Sequence, residues 1–416
     1  MKSKLPEQTF CTGCKVCSNV CPQHAIVFRN ADDGFWYPDI DQSSCISCLK
    51  CEHVCPINNF PNTNDYSSKG IIVKSINEEI RMMSSSGGTF SIMASFILKN
   101  NGVVVGAAFS DDFYSVKHII IESNTDLSKL RCSKYLQSDM GNIYKLIKET
   151  LIENRPVLFS GTGCQVAALK NYLGTEYENL YLIDVVCHGV PSQTLWSQYL
   201  SSIENKYNKK STEVNFRSKR ISWIGLGLEA SYGENVYFKE LKNDPYLIIF
   251  QKNLSLRESC YHCTFKSTRQ ISDISIGDLW GAEKIAPEFN DDKGISFLLI
   301  NSEKGQRLFQ SIKNDCLFEK VDLHEAIANN GNIARPTIRP EEKDAFNKDF
   351  LLLPFEQLIK KYSSPTKREI IKSYLDRYGL LKPMLKAKYA ITGVETEKIE
   401  DKNLQYGLLI VFESGD

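Results

Sequence analysis

Two cysteine runs of one pattern dominate this chain. Residues 11–22 read CTGCKVCSNVCP and residues 45–56 read CISCLKCEHVCP. Each is C-x2-C-x2-C-x3-C-P, the spacing in which three cysteines grip one 4Fe–4S cubane and the fourth ligates the other. On that rule Cys11, Cys14, Cys17 and Cys55 hold one cluster, and Cys45, Cys48, Cys51 and Cys21 hold the second. Two-residue gaps wrap the loop around one face of a cubane, and the last cysteine opens a short helix pointing across a pseudo-twofold axis. Pro22 and Pro56 stop each loop and bring no N–H to compete for the sulfurs. Zinc is the competing occupant, yet zinc usually draws four ligands from paired C-x2-C knuckles. A tight run of four cysteines, repeated with its proline, fits that poorly.

The compartment implied by these thiols is a reducing one. Fourteen cysteines in an oxidising space would suggest disulfides, but the N-terminus MKSKLPEQTFCTGC has no apolar signal region. The chain is expected to be cytoplasmic, without a membrane span, since no apolar run approaches the ~18–20 residues needed. Lys plus Arg balances Asp plus Glu at 50 each, which argues against a nucleic-acid partner recognised by bulk charge. A length of 416 residues with 42% hydrophobic content suggests two or three domains around a substantial core.

Beyond the runs, FWYPDID reads as a hairpin or strand closing the small module. PINNFPNTNDYSSKG is a linker ending near Gly70. Ile71–Ser75, Val103–Phe109 and Ser115–Ile121 read as strands, with a helix over Thr89–Asn100 and another over Asn142–Glu153. Pro156–Ser160 is a buried strand, and Gly161-Thr-Gly163-Cys164 leads into a helix ending near Gly174. Tyr181–Val186 is a further strand, Pro191–Asn205 a helix, and Val214–Phe238 is β-rich. Strands recur at Ile274–Ile276 and Ile295–Ile300. From about 341 the chain is charged and helical, with a strand at Tyr406–Phe412. The expected fold is mixed, α+β or α/β: an iron–sulfur module over 1–65, a core over 66–340 (66–150 and 151–340), and a helical extension over 341–416.

Six cysteines lie outside the runs. Cys164 and Cys187 each follow a strand, and Cys260 and Cys263 form a C-x2-C pair. Such positions can converge at one edge of a parallel sheet, where open α/β folds place ligands, and four thiolates there suit a third 4Fe–4S cluster. A zinc site with the same ligands, or plain buried thiols, are the alternatives. Cys132 and Cys316 have no partner at metal spacing, and His188 and His262 read as satisfied polar residues.

Two loops offer backbone N–H groups at a helix start, Ser84–Thr89 and Gly161–Gly163. Val166 occupies the third glycine position of the dinucleotide fingerprint, so the second fails as a Rossmann site. A plain strand-to-helix turn is an equal alternative for each. The stretch Arg131–Gly141 gathers a cation, a phenol, an amide and a hydroxyl suited to a polar cofactor or to a surface loop.

Taken in order, SSSGGTFS, YLQSDMGNIYKLIK, VLFSGTGCQVAALK, VVCHGVPSQTLWSQYL, VNFRSKRISW and CYHCTFKSTRQISDISIGDLWG resemble the coenzyme F420 hydrogenase/dehydrogenase beta-subunit family. The resemblance runs from about residue 65 to 340, and the fused N-terminal ferredoxin matches its bacterial branch. It implies an iron–sulfur flavoprotein that takes electrons from a ferredoxin-like donor or a hydrogenase or reductase subunit and passes them to a small organic acceptor. It implies cluster ligation by Cys164, Cys187, Cys260 and Cys263. It further implies FAD lined by Ser85, Ser86, Gly87, Gly88 and Thr89, by Lys134, Tyr135, Gln137 and Ser138, and by Thr162, Gly163 and Gln165. Arg217, Lys219, Asp278 and Trp280 also match motif positions. Gly163 departs from the proline common in the family's Gly-Thr-Pro-Cys. An electron-transfer subunit with no substrate of its own is the alternative function.

Overall fold

Alternating apolar residues decide how the central strands are buried, because successive side chains of a strand point to opposite faces. The computed structural model of the chain describes residues 4–266 and 271–365. Met1–Ile359 form one compact unit, and Lys360–Asp416 are a second. The strand foreseen at Tyr406–Phe412 and most of the helical extension lie outside the described residues; Lys343–Leu352 and Phe355–Ser363 are helices.

The first strands, β1 (Ile26–Asn30) and β2 (Trp36–Ile40), make an antiparallel hairpin between the two cysteine runs. The core sheet draws on β3 (Lys69–Ser75), β4 (Val103–Phe109), β5 (Val116–Ile121), β6 (Ser138–Asp139), β7 (Val157–Thr162) and β8 (Leu180–Val185). A separate antiparallel sheet follows, built from β9 (Glu213–Ser218), β10 (Gly227–Tyr232) and β11 (Asn235–Glu240). Finally β12 (Ile274–Asp278), β13 (Ser296–Ile300) and β14 (Cys316–Lys320) complete the core sheet. Its nine strands run in the order β14-β3-β13-β12-β8-β7-β4-β5-β6. The middle of the sheet, β4-β7-β8-β12, is parallel, while β3, β13 and β14 pair antiparallel.

Both faces of that parallel stretch are covered. Val104, Leu158 and Ile183 point to the face that packs on the helices Thr89–Lys99 and Glu303–Ile312. Their neighbours Val103, Val105, Val157, Phe159, Leu180 and Leu182 point to the face covered by the helices Ile143–Ile152 and Gly163–Leu173. Full burial of a Val, Leu or Phe side chain contributes about 1.5–3 kcal/mol each, so this sandwich is the main source of stability. Val16, Cys14, Val54 and Ile57 of the N-terminal module join the second of these cores. The module is therefore packed on the sheet's covering helices.

Candidate metal centre

The two cysteine runs copy one backbone. In each, the residues flanking the second cysteine are left-handed: Gly13 (φ 66°) and Lys15 (φ 61°), then Ser47 (φ 55°) and Leu49 (φ 59°). These reversals let three thiols face the same point before a short helix begins at Val16 or Lys50. The fourth sulfur comes from the opposite run. Cys55 is an electrostatic neighbour of Cys11, Cys14 and Cys17, and Cys21 lines one small cavity with Cys45, Cys48 and Cys51.

The two sets differ in surroundings. Cys11, Cys17 and Cys55 are buried, and burial pushes the Cys14 thiol up to about 12. In the other set Cys48 is exposed, and Ile46 beside it is 59% exposed. The first set is proximal to the core and the second distal.

Hydrogen bonds to carbonyls of the proximal loop fix that orientation. Arg257, fully buried, donates to the Cys11 carbonyl (2.7 Å), the Trp36 carbonyl (2.9 Å) and Gln137 Oε1 (2.9 Å). Gln137 Nε2 donates to the Thr12 carbonyl (3.0 Å), and the Tyr144 hydroxyl to the Cys14 carbonyl (2.8 Å). Lys15 pairs with Asp139 at 2.7 Å. A Cβ at Gly13 would stand 2.5 Å from Gln137 Nε2 and 2.8 Å from Arg257 Nη1, so a glycine is required there by contact as well as by φ.

Behind the proximal loop lies a cavity of about 60 Å³ lined by Cys164, Cys187, Cys260 and Cys263. Cys164 sits in the first turn of the helix that follows β7, and Cys187 lies two residues past β8. Both are at the carboxyl ends of adjacent parallel strands, the usual ligand edge of such a sheet. Cys260 ends a 3-10 turn whose approach is set by a bridge from Leu256 to Pro191. Gly189 lets the Cys187 loop close on it, since a Cβ there would meet Leu256 at 2.7 Å and Cys260 Cβ at 3.3 Å.

The cavity is suited to an anionic guest. Burial raises all of Cys164, Cys187 and Cys260, with Cys187 pushed up to about 12. Arg257 and Lys266 line it too, three residues before Cys260 and three after Cys263. Asp184, the carboxyl on its wall, is raised to about 6 by burial. Thr12 belongs to both the proximal loop and the cavity wall, so the two sites adjoin. Among the described residues no group of three or more His, Cys, Asp or Glu closes to the spacing of a single metal ion. Four thiols with two flanking cations around one cavity are a donor set that would suit an anionic iron–sulfur cluster.

His188 is hydrogen-bonded to Asn253 at 2.6 Å and held neutral by burial, near 4. Cys316 is a buried thiol and Cys132 rests against the Met83 carbonyl.

The residues singled out for a flavin fall in three places. Ser85 and Tyr135 meet at Arg217, which donates to the Tyr135 hydroxyl (3.1 Å), the Ser85 carbonyl (3.1 Å) and Asp278 (3.0 Å). Ser86 Oγ donates to the Ile295 carbonyl, the Gly87 N–H to Ser296, and Lys134 to the Lys129 and Arg131 carbonyls. Thr89 Oγ1 and Arg217 Nε are buried without a partner among the described residues. Gln137 instead grips the proximal loop, and Ser138 bonds His118 at 2.7 Å. Thr162 and Gln165 form a reciprocal capping box, with Gly163 and Thr162 on the wall of the four-cysteine cavity. That box satisfies N–H groups a phosphate would need. Lys219 donates to the Arg81, Ser86 and Lys293 carbonyls (2.8, 2.7 and 2.7 Å) and ties the loop down.

Sequence reasoning missed Arg257, Tyr144 and Asp139. The signal for Arg257 was present as the spacing R-x2-C-x2-C-x2-K over 257–266.

Two known family models match parts of the chain. Residues 10–59 match the family model described as a 4Fe-4S dicluster domain. Residues 154–326 match the one described as the C terminus of the coenzyme F420 hydrogenase/dehydrogenase beta subunit. No curated protein matches the chain. Among solved structures, a chain of the F420-reducing NiFe hydrogenase complex from Methanosarcina barkeri, studied by xenon derivatization, is similar at 17% identity. The match has a TM-score of 0.42 and covers 73% of this chain and 93% of that one. No helix among the described residues is long and apolar enough to cross a membrane.

Proposed function

We propose an iron–sulfur flavoprotein oxidoreductase, on the premise that residues 154–326 match the model for the C terminus of the coenzyme F420 hydrogenase/dehydrogenase beta subunit and residues 10–59 the model for 4Fe-4S dicluster domains. It takes electrons from a ferredoxin-like donor and passes them through three 4Fe–4S sites to FAD and a small organic acceptor in the cytoplasm. The observation that carries this reading is the order of the sites. The distal cysteines reach the surface, the proximal set is buried, and Thr12 joins the proximal loop to the four-cysteine cavity.

When bound, the clusters supply one-electron relay and the flavin a two-electron store. The protein's own groups provide order and electrostatics. Cys21, Cys45, Cys48 and Cys51 hold the distal cluster, Cys11, Cys14, Cys17 and Cys55 the proximal one, and Cys164, Cys187, Cys260 and Cys263 the internal one. Arg257 and Lys266 balance negative charge at the internal site, where buried thiols must stay deprotonated to ligate. The Ser85–Thr89 loop, Lys134, Tyr135 and Arg217 would offer the flavin its donors, and the unpartnered Arg217 Nε supports that role. Thr162 and Gln165 order the helix that presents Cys164.

The test is anaerobic reconstitution of the full chain followed by iron, sulfide and flavin analysis. Three clusters give roughly twelve irons, and one flavin is expected beside them. Roughly eight irons with no flavin would leave a ferredoxin module fused to an inert core. The exposure of Cys48 favours a second reading, a relay protein that serves a partner and has no substrate of its own. Turnover of an added acceptor by the isolated chain excludes it.

A further inference from the structure

Arg257 carries a buried charge whose hydrogen bonds all go to neutral oxygens. Its guanidinium donates to two carbonyls and one side-chain amide, and it lies over the rings of Tyr37 (4.3 Å) and Phe35 (5.1 Å). Arginine cannot shed its proton in a protein, and a buried charge without a counter-ion costs several kcal/mol. The fold keeps this cost at one point, between two cysteine sites. On one side is the Cys11 carbonyl. On the other is the internal cavity, whose wall Arg257 forms, with Cys260 three residues along the chain.

A cubane held by four thiolates is anionic and gains a further negative charge on reduction. A cation fixed between two such groups stabilises each, and the reduced form more.

We propose that Arg257 is the shared counter-ion of the proximal and internal clusters: a positioning residue that clamps the Cys11–Gly13 loop to the cavity wall and raises both reduction potentials. For the internal cluster this rests on the function proposed above. For the proximal cluster it rests on the dicluster match alone.

The test is an EPR-monitored redox titration of the full-length, anaerobically reconstituted chain as wild type, Arg257→Gln and Arg257→Lys. The distal signal is assigned by its loss in Cys48→Ala. In Arg257→Gln the proximal and internal one-electron equilibria are expected to weaken about tenfold, a fall of about 59 mV, with the distal potential unmoved. Arg257→Lys, which keeps the charge and loses the fork, recovers most of the shift. Unchanged proximal and internal potentials in Arg257→Gln overturn the proposal. So does an equal shift of all clusters, or an equal fall in Arg257→Lys. If Arg257→Gln does not retain iron, Arg257→Lys decides: near-wild-type potentials uphold the charge role, and a full fall removes it. Roughly eight irons in the wild type would remove the internal cluster, and with it that half of the proposal. The proximal comparison would still be decided by the same titration.

Discussion

The two halves of the N-terminal module share one motif and live in different solvents. At the second cysteine both chains reverse through the left-handed region on either side. In the first half the leading reversal is Gly13, buried with Gln137 and Arg257 within 3 Å of where a Cβ would be. In the second it is Ser47, exposed. Spacing fixes which sulfurs meet, while the surface each loop touches fixes who can reach them. One repeat is thus open to the surface and the other buried against the core, from nearly the same local geometry.

The largest expected contrast is in iron loss. Under a chelator or limited oxygen the distal set, open at Cys48, should release its roughly four irons first. The proximal set should release its own only as the core opens. A single-phase loss, followed by iron absorbance, would erase the distinction between the halves.

Substitution at the matched reversals comes next. Gly13→Ala adds left-handed strain of about 1–2 kcal/mol and overpacking of about 1–3 kcal/mol, whereas Ser47→Ala should stay within about 0.5 kcal/mol. Denaturant unfolding of the two variants measures the difference, and equal values would mean the core does not constrain the proximal loop.

Carboxyls sharpen the same contrast through pH. Asp184, on the buried cavity wall, is raised to about 6 by burial, so its folded form favours the proton. Its contribution is fully present below the ordinary carboxyl range and is lost as pH rises to about 6, at about 1.4 kcal/mol for each tenfold gain in proton affinity on folding. Asp184→Asn should flatten stability between about pH 4 and 6. Asp41, fully exposed ahead of the distal run, is lowered to about 2 by hydrogen bonds from Ser43 and Ser44. Its help runs the other way, present above the ordinary range and lost as pH falls toward about 2. A modest effect is expected from Tyr144→Phe, which removes one bond to the Cys14 carbonyl and about 1 kcal/mol.

Much of the fold was legible because its periods are strong. The strand at Val103–Phe109 and the helix over Thr89–Lys99 stand where apolar spacing puts them. The turn at Gly161–Cys164 was legible as strand-to-helix, but its chemistry was not. Whether Thr162 and Gln165 cap a helix or cradle a phosphate depends on side chains three apart bonding each other, which a glycine pattern does not record. Gln137 is the clearest case. Its amide was expected to grip a polar cofactor, and in the structure it grips the Thr12 carbonyl, 125 residues away. Contacts of that range come from the assembled sheet, and no local window contains them. Gly13 against Ser47 is the exception, a single-residue asymmetry between the repeats that marks the half facing inward.

The bond from Arg257 to the Cys11 carbonyl spans 246 residues, and that span has a meaning in time. The cysteine runs are complete once residue 55 has been made, but the clamp is about two hundred residues later. At about 5–20 residues per second of synthesis, the proximal loop waits roughly 10–40 seconds before its cover exists. During that interval both halves are equally open to whatever delivers iron and sulfide. The inward cysteines are thus complete well before the arginine that covers them has been made.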